Sequence, residues 1–214
     1  MKKTTATSSA EAPLVIIVDD DEGIRDSLVD ILRSVGIETT AFGSTTELLS
    51  ATIPNRPGCL VLDVRLPGAS GLDLQAKLNG MGNRMPIVFM TGYADVPMSV
   101  RAMKAGATDF LTKPFRDQEM LDAVMAAVER DRAQRSEKEA SAELAGLAAT
   151  LTPREAEVMA LVVQGLLNKQ IAYQLGVSEI TVKIHRGNLM RKMKATSVVD
   201  LVLKAEQIKA AAAT

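Results

Sequence analysis

The sequence has little of what usually staples or anchors a chain. It holds one cysteine, Cys59, so no disulfide can form within it, and a lone thiol inside the apolar run CLVL fits a reducing compartment. No apolar run approaches the roughly 18 residues of a membrane span. The N-terminal MKKTTATSSAEAP carries two lysines but no apolar stretch behind them, which is not the pattern of a signal peptide. Net charge is nearly absent, at −1. These absences predict a soluble, cytoplasmic protein with no membrane partner.

What is present is enough for two domains. The 214 residues exceed the usual single-domain length, and 47% hydrophobic content supports ordinary cores. The small net charge hides an uneven spread. Residues 11–125 hold 10 Lys+Arg against 16 Asp+Glu, a balance of −6; residues 151–214 hold 9 against 5, a balance of +4, together with the only histidine, His185. An acidic module joined to one that meets a polyanion would give this asymmetry.

The first 125 residues alternate short apolar or β-branched runs with helical patterns. LVIIV (14–18), IETTAF (37–42), GCLVL (58–62), PIVFM (86–90) and TDFL (108–111) read as strands. Helices are predicted after the first strand and near 44–51, 70–79, 97–105 and 117–135. Such alternation predicts parallel strands with right-handed crossovers. The third and fourth runs are almost uninterrupted, as strands buried on both faces require. The stretch 127–150 is rich in Ala, Glu, Arg and Lys and reads as a helical linker, either a solvated spacer or a dimerising coiled segment.

At Leu151 the pattern changes. Thr152-Pro153-Arg154-Glu155 is a capping box with proline at the first helical position. Helices are predicted over 153–164, over 169–175 capped by Asn168, over 179–193 capped by Ser178, and from about 197 to 209. No strand signal appears in this part.

The acids of LVIIVDDDEGIRDSL now find a place. Parallel strands share one C-terminal edge, where ligands of open α/β sheets bind. In the order 2-1-3-4-5, that edge gathers Asp19 and Asp20 from strand one, Asp63 from strand three, Thr91 from strand four and Lys113 from strand five. Clustered carboxylates need a cation, and hard oxygens with room for water suit Mg²⁺. An aspartate can also attack phosphorus. Lys113 would neutralise a transferred phosphoryl group and Thr91 would hydrogen-bond it. Asp21 and Glu22 read only as acids at a helix N-terminus.

IIVDDDEGIRDSL, LVLDVRLPGASGLDL and IVFMTGYADVPMSVRAMKAGATDFLTKPF closely resemble the receiver domains of two-component response regulators. The resemblance implies that Asp63 is the phospho-acceptor. It implies a Mg²⁺ (or Mn²⁺) site at Asp20 and Asp63, beside Asp19, completed by the backbone carbonyl of Arg65. It makes Thr91 the switch hydroxyl, Lys113 the catalytic lysine and Phe110 the rotating aromatic, and it implies a cis Lys113-Pro114 bond. The segment LTPREAEVMALVVQGLLNKQIAYQLGVSEITVKIHRGNLMRKM resembles the helix-turn-helix domain of the NarL/FixJ/LuxR class.

A helical wheel of 179–194 agrees. Val182, Leu189 and Met193 share one face with Arg186 at its margin; the opposite face carries Lys183, Ile184, Gly187, Asn188 and Arg191. Lys183, Ile184 and Asn188 are the predicted base-edge residues, Ile184 suiting a thymine methyl. Lys169, His185, Arg186, Arg191 and Lys192 are predicted phosphate contacts, and Ser178 and Thr181 join the set, Ser178 also reading as a cap.

The domains predicted are a receiver over 12–126, a helical linker over 127–150 and a DNA-binding domain over 151–210. The chain reads as a phosphorylation-controlled transcription regulator, not an enzyme, and activation is the commoner direction in the class it resembles. Its expected partners are a sensor histidine kinase, double-stranded DNA with inverted half-sites, a second copy of itself on phosphorylation, and RNA polymerase. Two rivals stay open: a phosphorylation-independent regulator whose receiver is a dimerisation scaffold, and a Mg-dependent aspartyl-phosphate phosphatase.

Overall fold

The computed structural model describes residues 12–93 and 95–212. The N-terminal stretch weighed as a signal peptide lies, up to residue 11, outside the described residues. Two compact units divide the chain, one ending at Arg135 and the other starting at Ser136.

In the first unit five strands, β1 (Leu14–Val18), β2 (Glu38–Phe42), β3 (Gly58–Asp63), β4 (Ile87–Thr91) and β5 (Asp109–Thr112), form one parallel sheet in the order β2-β1-β3-β4-β5. This is the predicted doubly wound fold. Alternate residues of β1, β3 and β4 feed two separate cores. Ile16, Leu62 and Phe89 pack on one face; Ile17, Val61 and Met90 pack on the other, against Leu28, Leu32, Met120 and Val124. Both faces being covered, the central strands carry no polar alternation. Pro86 has no N–H for the ladder and offers only its carbonyl, to Leu60, so β4 starts one residue later than predicted. The shift takes Thr91 into the strand, and β3 likewise extends to Asp63.

Helices α1 (Glu22–Ser34), α2 (Thr45–Ser50), α3 (Gly71–Gly80) and α4 (Val96–Lys104) each start behind an acid or serine whose side chain takes a first-turn N–H: Asp21, Ser44, Ser70 and Asp95. The next helix, α5, runs unbroken over Asp117–Ala149. The first residues of the predicted linker therefore do not form a spacer: Ala127, Val128 and Asp131 are buried with the sheet. Asp131 Oδ2 accepts from the Gly58 N–H at 2.9 Å and pairs with Arg135 Nε at 2.6 Å, while Arg135 Nη1 donates to Asn55 Oδ1 at 2.7 Å.

The second unit is helical among its described residues: the end of α5, then α6 (Pro153–Val163), α7 (Asn168–Leu175), α8 (Glu179–Lys192) and α9 (Val198–Ala212). Val158, Val162, Ile171, Val182, Leu189 and Leu201 form its core, with Leu147 and Leu151 packed against it. Asn168 is not the cap expected. It is the first residue of α7, following Leu167. Gln170 Oε1 takes the Leu167 N–H at 2.8 Å, which leaves Asn168 Oδ1 to accept from Arg186 Nη1 at 2.8 Å. Gly176 ends α7 in the left-handed conformation at φ 65°, and Ser178 caps α8 as predicted. Among the described residues no helix is long and apolar enough to cross a membrane.

Candidate functional site

The C-terminal edge of the sheet carries the acids. Asp19 follows β1 directly and is fully buried; Asp63 ends β3, and Val18 pairs with Leu62 in register, so the two aspartates sit side by side. Carboxylate oxygens of Asp19, Asp20 and Asp63 lie within 4.8 Å of one another. Asp20 is exposed, at the mouth of the cluster. Lys113, just after β5, compensates the charge: its Nζ donates to Asp19 Oδ2 at 2.5 Å and to Asp63 Oδ2 at 2.6 Å. Burial pushes the Asp19 carboxyl up, against the hydrogen bond from Lys113. Burial works against the Lys113 charge, but its bonds to Asp19 and Asp63 prevail and raise its pKa.

The surrounding backbone holds these side chains still. Asp19 Oδ1 accepts the Asp21 N–H at 2.9 Å, and Asp63 Oδ1 accepts the Arg65 N–H at 2.9 Å. Arg25 Nη1 donates to the Asp19 carbonyl at 2.8 Å. A Cβ on Gly71 would collide with the Asp63 carbonyl oxygen, so only glycine lets the start of α3 lie this close to β3. Thr91 is buried, and its Oγ1 accepts the Tyr93 N–H at 3.3 Å. The guanidinium of Arg65 lies 4.5 Å from the Tyr93 ring centre, joining the loops after β3 and β4. Phe110 is half-buried beside Phe89, ring centres 6.3 Å apart. The Lys113-Pro114 bond is cis. Three hard carboxylates closing on one point fit a small divalent cation.

In the second unit α8 turns Val182, Leu189 and Met193 into the core. Lys183, Ile184, Gly187 and Arg191 are exposed, and Thr181, His185, Arg186 and Asn188 are partly so. Ser178 and Lys169 are exposed as well. Ser178 Oγ lies 2.8 Å from Thr181 Oγ1, and Arg191 Nη2 donates to Asn188 Oδ1 at 3.1 Å.

Residues 15–125 match the response regulator receiver domain, and residues 149–205 match the bacterial regulatory proteins of the luxR family. The chain belongs to the response regulators. It is 54% identical to nodulation protein W of Bradyrhizobium diazoefficiens over 94% of its own length and 89% of the relative's. It is 45% identical to the transcriptional regulatory protein FixJ of Azorhizobium caulinodans, over 88% and 89%. Among solved structures, the response regulator StyR is 44% identical, with TM-score 0.84 over 92% of this chain and 99% of that one. Full-length FixJ from B. japonicum is 37% identical, with TM-score 0.57 over 92% and 97%. The protein is thus a two-component transcription regulator, with a receiver domain that implies control by a sensor kinase and a LuxR-type domain that implies DNA binding.

Two predicted DNA contacts of the regulator, Lys192 and Arg186, are bonded to side chains of other helices. Lys192 Nζ bonds to Glu155 Oε2 at 2.6 Å and to the Thr150 carbonyl at 2.9 Å. The Glu155 side chain is buried, and hydrogen bonds from Lys192 and from the Thr152 N–H hold its pKa down at about 2. Lys192 therefore ties α8 to α6 through its ammonium group. Arg186 is engaged with Asn168 in the same way, pinning α8 to α7. Sequence reasoning read Glu155 only as half of a capping box. The box exists, but its carboxylate also reaches a lysine 37 residues away. Arg25 and Asp131 were missed altogether: Asp131 pairs locally with Arg135, but its bond to Gly58 spans 73 residues, and Arg25 reaches a backbone carbonyl that leaves no side-chain pattern.

Proposed function

We propose that Asp63 is the phospho-acceptor and that its phosphorylation controls DNA binding by α8. One observation carries this reading: Lys113 bridges Asp19 and Asp63 while Asp20 lies within reach of both, three acids and a lysine at one strand edge. Asp20, Asp63 and the Arg65 carbonyl, beside Asp19, would hold Mg²⁺ or Mn²⁺. That ion supplies charge neutralisation on the incoming phosphoryl oxygens. An Asp63 carboxylate oxygen attacks phosphorus of a phosphohistidine on a sensor kinase. The P–N bond breaks, an acyl phosphate forms, and the departing imidazole takes up a proton. Lys113 pairs with the new oxyanions and Thr91 donates its hydroxyl to one of them.

Phosphorylation introduces up to about two negative charges where Lys113 previously bridged two. Repacking of Thr91 and Phe110 then alters the face built from α4, β5 and α5, where Val96, Val100 and Met103 are exposed on α4. That face supports a phosphorylation-dependent homodimer. Exposed Val198, Val199 and Leu203 on α9 suit a two-fold contact between DNA-binding domains, and hence inverted half-sites. Lys183, Ile184 and Asn188 read bases; Lys169, Ser178, Thr181, His185 and Arg191 approach phosphates. The regulator works in the cytoplasm, where DNA and RNA polymerase are within reach.

Acetyl phosphate with Mg²⁺ tests the reading. Mass spectrometry is expected to find a labile phosphoryl adduct at Asp63, lost in Asp63→Asn and suppressed by chelator. Turnover with modification near Asp19 would instead indicate a phosphatase. Unchanged promoter binding by Asp63→Asn, with kinase present, would establish the phosphorylation-independent rival.

A further inference from the structure

On α8, positions 180, 184, 187 and 191 fall within an arc of about 60°, opposite Val182, Leu189 and Met193. The centreline of the outward face is therefore Ile180, Ile184, Gly187 and Arg191. Ile180 is 71% exposed and Ile184 59%. Two β-branched aliphatic side chains one turn apart in water are costly unless something apolar covers them. A Cβ on Gly187 would meet nothing within 4 Å, so the next turn presents bare backbone. Lys183 and Arg191, both exposed, bring positive charge to the same face, and only Glu179 in α8 is acidic.

The charge names the occupant as DNA, and the apolar centreline names what is read there. In the major groove the thymine C5-methyl is the one apolar knob; the other groups are donors and acceptors. Burying a cytosine amino group or a guanine carbonyl against isoleucine would strip it of its water without replacing the hydrogen bond. The same side chains thus attract thymine and reject its competitors.

We propose that Ile180, together with Ile184, is a specificity-determining residue, and that the regulator reads two thymine methyl groups of its half-site through this pair, beside the base edges met by Lys183 and Asn188. The two residues stand about 6 Å apart along the helix axis, close to two base-pair rises of about 3.4 Å. Gly187 leaves the room that lets this part of the helix settle against the base edges. The proposal rests on α8 being the DNA-reading helix.

The test uses the full-length regulator, treated with acetyl phosphate and Mg²⁺, and a duplex obtained by selection from random DNA. Each thymine is replaced in turn by deoxyuracil, which removes the methyl group and keeps every hydrogen-bonding group. Loss of one buried methyl predicts about fourfold weaker binding at each of two thymines per half-site. Ile180→Ala should abolish the thymine–uracil difference at one position and Ile184→Ala at the other. Both side chains are exposed, so the variants should melt with wild type, and Ile180→Val should retain most of the discrimination. A half-site indifferent to every uracil substitution overturns the proposal. So does an Ile180→Ala protein that weakens on all DNA equally while keeping both differences. If selection yields no preferred sequence at all, it is the DNA-reading assignment of α8 that fails.

Discussion

Lys113 and Lys192 are both lysines with a buried carboxylate, yet they serve opposite ends. Lys113 bridges two acids at the C-terminal edge of the sheet; Lys192 bonds one acid, Glu155, and so holds two helices together. The difference has a pH signature. Glu155 sits at about 2 in the folded chain, below its ordinary 4.5. Its contribution is therefore fully present above pH 4.5 and disappears as pH falls from 4.5 towards 2. Glu155→Gln should melt earlier than wild type at neutral pH by a constant gap. That gap should narrow below pH 4.5 and vanish near pH 2. Thermal unfolding of the two full-length proteins across pH 2–7 measures it, and a pH-independent gap would mean packing, not the ion pair, sets the cost. Local spacing made the strand-end acids legible, because the sheet order brings each of them to one edge. It could not show the Glu155–Lys192 pair, since nothing in the sequence around position 155 points to 192.

Elements were legible where their chemistry is local. Uninterrupted apolar runs gave β1, β3 and β4, and the capping residues Thr152 and Ser178 marked the starts of α6 and α8. Boundaries slipped where a single backbone group decides, as at Pro86, or where a neighbour competes for a side chain, as when Arg186 takes Asn168. The polar stretch of α5 was the hardest, because composition describes its solvent face and hides the few residues that turn inward. Asp131 is one of these. It satisfies the first N–H of β3, and its loss would leave that group buried and unpaired. Asp131→Ala should destabilise the first unit by about 1–3 kcal/mol, and Asp131→Asn, which keeps an acceptor, by less. Urea unfolding of the full chain measures both. Equal effects of the two substitutions would show that the Arg135 ion pair, not the Gly58 hydrogen bond, carries the stabilisation.

Across the whole molecule charge is unevenly spread: residues 11–125, with the receiver domain, carry −6, and residues 151–214, with the LuxR-type domain, carry +4. That asymmetry is legible in composition alone, where electrostatic function can leave its mark. The single thiol adds a tool of another kind. Cys59 is fully buried in β3, four residues before Asp63, and burial with the nearby Asp131 charge pushes its pKa up to about 12. A native thiol so placed cannot meet a disulfide reagent such as Ellman's, so every labelling event must follow an opening of the central strand. The labelling rate at neutral pH is thus a stopwatch on the strand that ends in Asp63, readable without any engineered probe. Beryllofluoride with Mg²⁺ should slow it, in proportion to how firmly the charged site ties β3 shut.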